Sequence, residues 1–361
     1  MKSSEITIKK INISKGPSNE LLKFISKIFT DIDKEKWEWE YKNTPKHNGI
    51  VWIATIDNKI AVHYAFIILN FKYNKKSLKV AKAEGSLANI NLLKNLPKER
   101  RRLFGLVVEK ALKDLKKQKI DLVYGFPNTK ALKTQISSGY NLVKLPITFS
   151  RAIIDLKPIL KNRIKDNFVN KIFIFLLINF ANLTYKLFLK FKSCKNKNII
   201  EVNKKHSKQI KEFFKKWYYQ NSNDLSLNRD WEFYNWRYIN NPYRNYKIFG
   251  YFHDNKLEGT IVLGYEKLKK IKSIHIMEIN YINNKALSKL IKWSLYLSFK
   301  EKVDTIDIWS ATKDNYLNSV LFKNGFINQK NNKKNMIVKF FNNDLENNYV
   351  NWSINRYLER I

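Results

Sequence analysis

A single cysteine, Cys194, stands among 361 residues. No intrachain disulfide can form, and no cysteine cluster exists to hold zinc or an iron–sulfur centre, so a reducing compartment is expected. Glycine is scarce too. Ten residues, against a usual share of about 7%, leave little scope for glycine-cradled nucleotides, and no Walker loop, dinucleotide fingerprint or HExxH occurs. The five histidines, His47, His63, His206, His253 and His275, lack metal-ligand spacing, and no metal site is expected. Acidic residues are outnumbered, 31 against 68 Lys and Arg, for a net charge of +37. That excess fits an anionic partner such as nucleic acid, a membrane face or a phosphorylated small molecule, although solvated surface lysines alone would also produce it.

The start, Met1-Lys2-Ser3-Ser4-Glu5, runs into mixed polar sequence and lacks the apolar core of a secretory leader, so a cytoplasmic protein is expected. A crossing helix needs about 20 apolar residues. The uncharged run from Ile172 to Tyr185, between Lys171 and Lys186, is shorter and carries Asn179, Asn182 and Thr184. It reads as a buried interdomain helix. The alternative is an interfacial helix flanked by lysines, which would hold the protein at the inner face of an anionic membrane.

What is present is ample core material, 44% hydrophobic and 14% aromatic residues, in a chain long enough for two packed units. The chain also repeats itself. Trp39-Glu40-Tyr41-Lys42-Asn43-Thr44-Pro45 has the form W-x-Y-x-N-x-P, and Trp236-Arg237-Tyr238-Ile239-Asn240-Asn241-Pro242 restates it 197 residues later. At the same offset Asp57-Asn58-Lys59-Ile60 falls on Asp254-Asn255-Lys256-Leu257, a turn between strand-like runs. Ile120-Asp121-Leu122 recurs at Ile306-Asp307-Ile308, and Gly139-Tyr140 at Gly325-Phe326, both 186 residues on. Matches in chain order with one change of offset imply duplication. The expected organisation is one domain over 1–155, a linker with the apolar helix over 156–198, a second, degenerate domain over 199–345 and a tail over 346–361.

Each half reads in one coarse order. Ser18 to Phe29 has helical spacing with Ser18 as N-cap. Ile50–Ile56 and Ile60–Leu69 form a hairpin, and Ser77–Glu84 a further strand. After Pro97, a suitable first helical residue, apolar pairs recur every four positions through Leu115. Strand, short helix and strand follow to Ile154. Asp31-Ile32-Asp33 has the D-x-D form of metal-using glycosyltransferases, but before Trp37-x-Trp39 it reads as a helix cap.

This order, with W-x-Y-x-N-x-P, Pro97-x-x-Arg100, Gly125-Phe126-Pro127-Asn128 and Gly139-Tyr140, resembles the GNAT superfamily of N-acetyltransferases, in particular a tandem bacterial group often encoded with surface-polysaccharide genes. The resemblance covers residues 20–150 and, as a degenerate copy, 200–340. It implies an α/β (α+β) fold of two tandem acyl-CoA N-acyltransferase domains, each a mixed, mainly antiparallel sheet flanked by helices. It implies acetyl-CoA or another acyl-CoA as co-substrate, and a small amine or nucleotide-linked amino sugar as acceptor.

In that family the cofactor pyrophosphate sits at a helix N-terminus. The resemblance therefore places it near Arg100, Arg101, Arg102, Leu103 and Gly105, although the loop keeps only one of the usual glycines, and it sets Asn128 toward the cofactor. Glu84, ending the strand before that loop, matches the position of a general base. The usual acid, a tyrosine, is replaced by Gln135, with Tyr124 or Tyr140 as substitutes. Trp39 and Tyr41 are candidate substrate contacts that also suit packing. Two other readings stay open: a related FemAB-type transferase taking aminoacyl groups from tRNA, and a non-catalytic module bound to a membrane surface.

Overall fold

The computed structural model describes residues 5–353 apart from 30–31, 47, 99–100, 157, 159–167, 269, 311–313, 343–344 and 346–350. Arg100 and Asp31 thus lie outside the described residues, as does most of the expected tail. The first half runs β1 (Ile6–Lys10), α1 (Asn19–Ser26), α2 (Lys34–Tyr41), β2 (Ile50–Ile56), β3 (Lys59–Tyr73), β4 (Lys76–Ala88), α3 (Ile90–Lys94), α4 (Leu103–Lys117), β5 (Leu122–Gly125), α5 (Thr129–Ser137) and β6 (Asn141–Ile153). A connecting helix, α6 (Phe168–Lys192), leads to β7 (Ile199–Glu201), α7 (Ser207–Gln220), β8 (Asp224–Leu227) and α8 (Trp231–Tyr234). A wider turn over Asn235–Ile239 follows, then β9 (Tyr246–His253), β10 (Lys256–Leu268), β11 (Ile271–Tyr281), α9 (Asn284–Lys300), β12 (Thr305–Ser310), α10 (Asn315–Lys323), β13 (Ile327–Phe340) and β14 (Asn351–Ser353).

The repeat is visible in backbone detail. Asp57 and Asn58 have φ of 47° and 63°, and Asp254 and Asn255 have 47° and 59°. Two successive left-handed residues make the hairpin turn whose twist matches that of the strands. Both β3 and β10 carry their bulge at the same point, between Val62 and Ile60 in one and between Gly259 and Leu257 in the other. Ser18 and Asp33 cap α1 and α2 as expected. Asn128 and Asp314 cap α5 and α10, which end at Gly139 and Gly325 with φ of 100° and 82°.

β2, β3 and β4 pair antiparallel and β5 joins β4 in parallel; β9, β10, β11 and β12 repeat that arrangement. The closing strands then change places. β13 pairs with β5, β6 pairs with β12, and β6 and β13 pair with each other. One continuous sheet results, so each half of the chain completes the sheet of the other. Polar links hold the exchange: Arg151 of β6 pairs with the buried Asp307 of β12 at 3.1 Å, and Ser150 donates to Asn328 of β13 at 2.5 Å.

One core, formed by α1, α2, α7 and α8, lies across both halves on one sheet face. The opposite face carries two private cores, one under α3 and α4 and one under α9 and α10. Burying apolar surface yields about 25 cal/mol per Å², so the shared core ties the halves together in addition to the exchanged strands.

Two expectations are corrected. The long helix opens at Leu103, not near Pro97; Arg101 and Arg102 form a turn before it, with Arg102 at the N-cap position. The apolar run does form a helix, but α6 is not simply buried. Asn182, Tyr185 and Leu189 face inward, while Phe180, Leu183, Leu187 and Phe191 are exposed. Among the described residues no helix is long and apolar enough to cross a membrane.

Candidate active site

Trp39 and Trp236 form the joint between the halves. Their rings stack at 5.2 Å, and each indole N–H donates to the main-chain oxygen of the other residue at 2.9 Å. This reciprocity is what a local two-fold axis between two copies produces. Trp39 is 4% exposed and does not line the neighbouring cavity, which corrects its expected place as a substrate contact.

Beside that joint a cavity of about 270 Å³ opens between α1, α2 and the end of β4. Ile25, Ile28, Phe29, Ile32 and Trp37 make its apolar wall; Glu40, Tyr41, Glu84, Gly85 and Tyr243 make the polar end. Glu84 and Tyr41, both expected from the sequence, thus meet here. Glu40, Tyr243 and the buried cations behind them were missed.

The sheet explains why Glu84 is presented. β4 pairs with β5 only through Ala83, then runs on to Ala88, so the two strands part at Glu84. On the other edge Ala65 opposes Glu84 while His63 opposes Leu87, which puts one extra residue in β4. Such a bulge re-aims side chains and interrupts pairing. Gly85 sits in it at φ 62°, and a Cβ there would lie 2.7 Å from the Tyr41 hydroxyl, so both backbone and space require glycine. His63 Nδ1 lies 2.7 Å from the Gly85 carbonyl. Burial pulls this imidazole down to about 4, so it is neutral near pH 7 and Nδ1–H must donate. Its buried Nε2 has no partner among the described residues.

The charges are concentrated. Lys82, two residues before Glu84 on the same strand face, is 1% exposed and ion-paired to it. Glu40 is buried and accepts from Tyr243 at 3.4 Å. Burial first, and the Glu84 carboxylate second, push the Glu40 carboxyl up to about 8, against the pull of Lys82, Tyr243 and Arg237. Burial draws the Lys82 ammonium down, opposed by Glu84, and holds the Tyr41 hydroxyl far above its ordinary value. At neutral pH Glu40 therefore stands as the protonated acid beside Glu84, which is ion-paired to Lys82.

In the folded state Glu40 keeps a proton that the unfolded chain releases near 4.5, so its contribution is full below about 4.5 and is lost as pH rises to about 8. At about 1.4 kcal/mol per unit the loss is on the order of a few kcal/mol. Glu40→Gln should flatten the fall of the thermal midpoint between those limits and be more stable than wild type above pH 8; parallel pH profiles for the two proteins would refute it.

The remaining expected residues lie elsewhere. Leu103 is buried in the core, and Gly105 packs against Ser138 Oγ and the Arg102 side chain. Arg101 donates to the Leu96 carbonyl at 3.0 Å and Arg102 pairs with Glu109. The N-cap residue Arg102 makes no side-chain hydrogen bond to the first turn of α4, and among the described residues no side chain accepts from its first N–H groups. Asn128 is an exposed cap whose side-chain oxygen accepts from Ala131. Tyr140 pairs with Tyr64 at 2.6 Å under α4, and Tyr124 is buried in the shared core; neither lines the cavity, where the hydroxyls belong to Tyr41 and Tyr243.

The second half carries the counterpart. Val262 stands 197 residues after Ala65 and opposes Glu278, as Ala65 opposes Glu84. Glu278 is buried, paired to Arg229 at 2.6 Å, and accepts from Tyr238 at 2.7 Å, Asn280 at 2.5 Å and Tyr234 at 3.1 Å. Oε1 takes the bonds from Arg229, Asn280 and Tyr234 and Oε2 that from Tyr238, all from buried groups, so this carboxylate serves the fold.

A scan of family models and a search of curated proteins each give no match. By structure the chain is similar to a probable N-acyltransferase of Enterococcus faecalis, with a TM-score of 0.64 and 13% identity over 94% of this chain and 73% of that one. It is similar to a GCN5-related N-acetyltransferase of Anabaena variabilis, at 0.60 and 12% over 94% and 73%. It is similar also to the N-myristoyltransferase of Saccharomyces cerevisiae solved with bound myristoyl-CoA, at 0.59 and 12% over 93% and 82%. With its repeated strand–helix order and the parting of β4 from β5, this chain has the acyl-CoA N-acyltransferase fold.

Proposed function

We propose that the protein is an acyl-CoA-dependent N-acyltransferase acting on a small primary amine, with transfer in the first half only. The observation that carries this is Glu84, held by a bulge where β4 leaves β5 and lining the cavity. An amine arrives as an ammonium ion, for which the Glu84 carboxylate is the counter-charge. Glu84, directly or through one water, takes the proton; the neutral amine attacks the thioester carbonyl, an amide forms, and the thiolate leaves and is protonated. Glu40, carrying its proton, and Tyr243 fix the amine without adding a second negative charge.

The acyl donor fits the features beside the cavity. Beyond Ala83 one edge of β4 has no strand partner among the described residues, and the uncapped N-terminus of α4 suits a diphosphate. Arg101 lies in the turn before that helix, and Gly105 contributes close packing and no phosphate cradle. The apolar wall favours acceptors with an apolar face next to the amine; amino sugars and nucleotide-linked amino sugars belong in the same assay.

The tRNA-dependent alternative has one observation of its own. A cleft of about 1040 Å³ is lined by Lys72, Lys75, Lys208, Lys211 and Lys215, with Tyr219 among them, a combination that suits a polyanion carrying bases. Calorimetry and thermal shift separate the readings. Acetyl-CoA should bind and raise the midpoint by mass action, and thiol release from it should require an amine. A midpoint raised by tRNA and unmoved by any coenzyme A derivative would overturn the proposal in favour of the alternative.

A further inference from the structure

The connecting helix carries a feature that acyl transfer does not use. Along α6, Phe180, Leu183, Leu187 and Phe191 recur at helical spacing and are 69%, 56%, 55% and 85% exposed. They form one stripe, since residues three and four apart share a face. Phe188 borders it at 42%, and Phe322, on the helix leading into Gly325, is 73% exposed. Contiguous apolar exposure of this kind marks an interaction site, unlike single exposed leucines.

The opposite face of the helix is firmly seated. Asn182 accepts from the Leu156 N–H at 2.9 Å, Lys186 pairs with Asp155 at 3.6 Å, and Tyr185 donates to the Gly325 carbonyl. Leu189 is fully buried, and the space over Gly325 is filled by Leu189 and Phe188. The stripe is therefore held outward by a docked inner face.

Charge selects the occupant. From Phe168 to Ile200 the chain has six lysines and no acidic residue. Lys190 falls on one edge of the stripe; Lys192, on the other, lies 5.4 Å over the Phe188 ring. A second copy would bring the same lysines and the same +37 charge, and like charges repel. Lysines along both edges of an exposed apolar stripe are what an anionic lipid surface selects: the stems lie along apolar surface and the ammonium groups reach the headgroups. We infer that the outer face of α6 docks in the headgroup–acyl boundary of an anionic bilayer, holding the enzyme at a membrane surface.

The test is flotation of the full chain with vesicles of phosphatidylcholine containing about one-third phosphatidylglycerol, against phosphatidylcholine alone. Wild type should float with the anionic vesicles, at least about tenfold less with neutral ones, and less at high salt, because each juxtamembrane lysine adds of order a factor of five. Leu183→Glu with Leu187→Glu should lower flotation at least about tenfold while leaving the thermal midpoint and acetyl-CoA binding unchanged, since both positions are exposed. Failure of wild type to float overturns the inference, as does undiminished flotation of the double variant, which would mark the charge alone as the cause. A wild-type dimer in light scattering that the double variant abolishes would assign the stripe to a second copy instead. None of these outcomes depends on acyl transfer.

Discussion

Glu84→Gln should lower the rate of acyl transfer by about 10²- to 10⁴-fold, the range that a positioned base contributes, while the protein stays folded and still binds acetyl-CoA. The amide keeps an acceptor for Lys82, and Lys82, already drawn toward its neutral form by burial, can lose its proton when the carboxylate is gone. The fold therefore tolerates the change better than a buried ion pair usually does. A base that removes the proton from an ammonium ion is needed least when the amine is already neutral, so the deficit should shrink as pH approaches the pKa of the amine itself. A variant with wild-type rates at neutral pH would remove Glu84 from the chemistry. A deficit unchanged across pH would leave it a binding group and refute the role of base.

How far the sequence foretold this arrangement depends on the range of the interactions involved. The hairpin turns, the caps at Ser18 and Asp33 and the helix ends at Gly139 and Gly325 are set within a few residues by side-chain oxygens and left-handed backbone, and local spacing was enough to locate the caps while the repeat located the turns and helix ends. The strand exchange was not legible. β6 and β13 have similar length and apolar content, and which sheet each completes is decided by register across more than 150 residues, where neighbours in sequence are the ordinary expectation.

Glu40 was missed for a related reason. The stretch Lys-Glu-Lys-Trp-Glu-Trp-Glu-Tyr of α2 shows no one-sided pattern, because the helix is enclosed by the sheet on one side and by the second half on the other. A signal was nonetheless present. At the shared offset Glu40 aligns with Arg237 inside an otherwise repeated motif, and both are buried. Opposite charges at one position of two copies that meet on a two-fold axis point to electrostatic proximity, and Arg237 does pull the Glu40 carboxyl down against its burial. The exposed stripe of α6 was obscured because hydropathy counts apolar residues without saying which of them find a neighbour.

Arg229→Met should cost about 3–5 kcal/mol in chemical denaturation, the loss expected when one partner of a buried ion pair is removed and the other charge is left behind. Arg229 is fully buried: Nε donates to Glu278 at 2.6 Å, an Nη donates to the Leu227 carbonyl at 3.1 Å, and the guanidinium lies 5.1 Å from the Trp217 ring. Without it Glu278 keeps only neutral donors and must take up a proton to remain inside. Arg229→Met combined with Glu278→Gln should therefore lose clearly less than the two single changes added together, and a loss below about 1 kcal/mol for Arg229→Met alone would refute the account. Glu278→Gln should leave acyl transfer at the wild-type rate wherever the protein is folded, whereas its counterpart at Glu84 acts in the reverse sense. The two carboxylates stand at the same register point of the repeated strand order, but Glu278 is enclosed by Arg229, Tyr234 and Tyr238, whereas Glu84 lines a cavity beside Lys82, so only the proposed base should be sensitive in an assay of transfer.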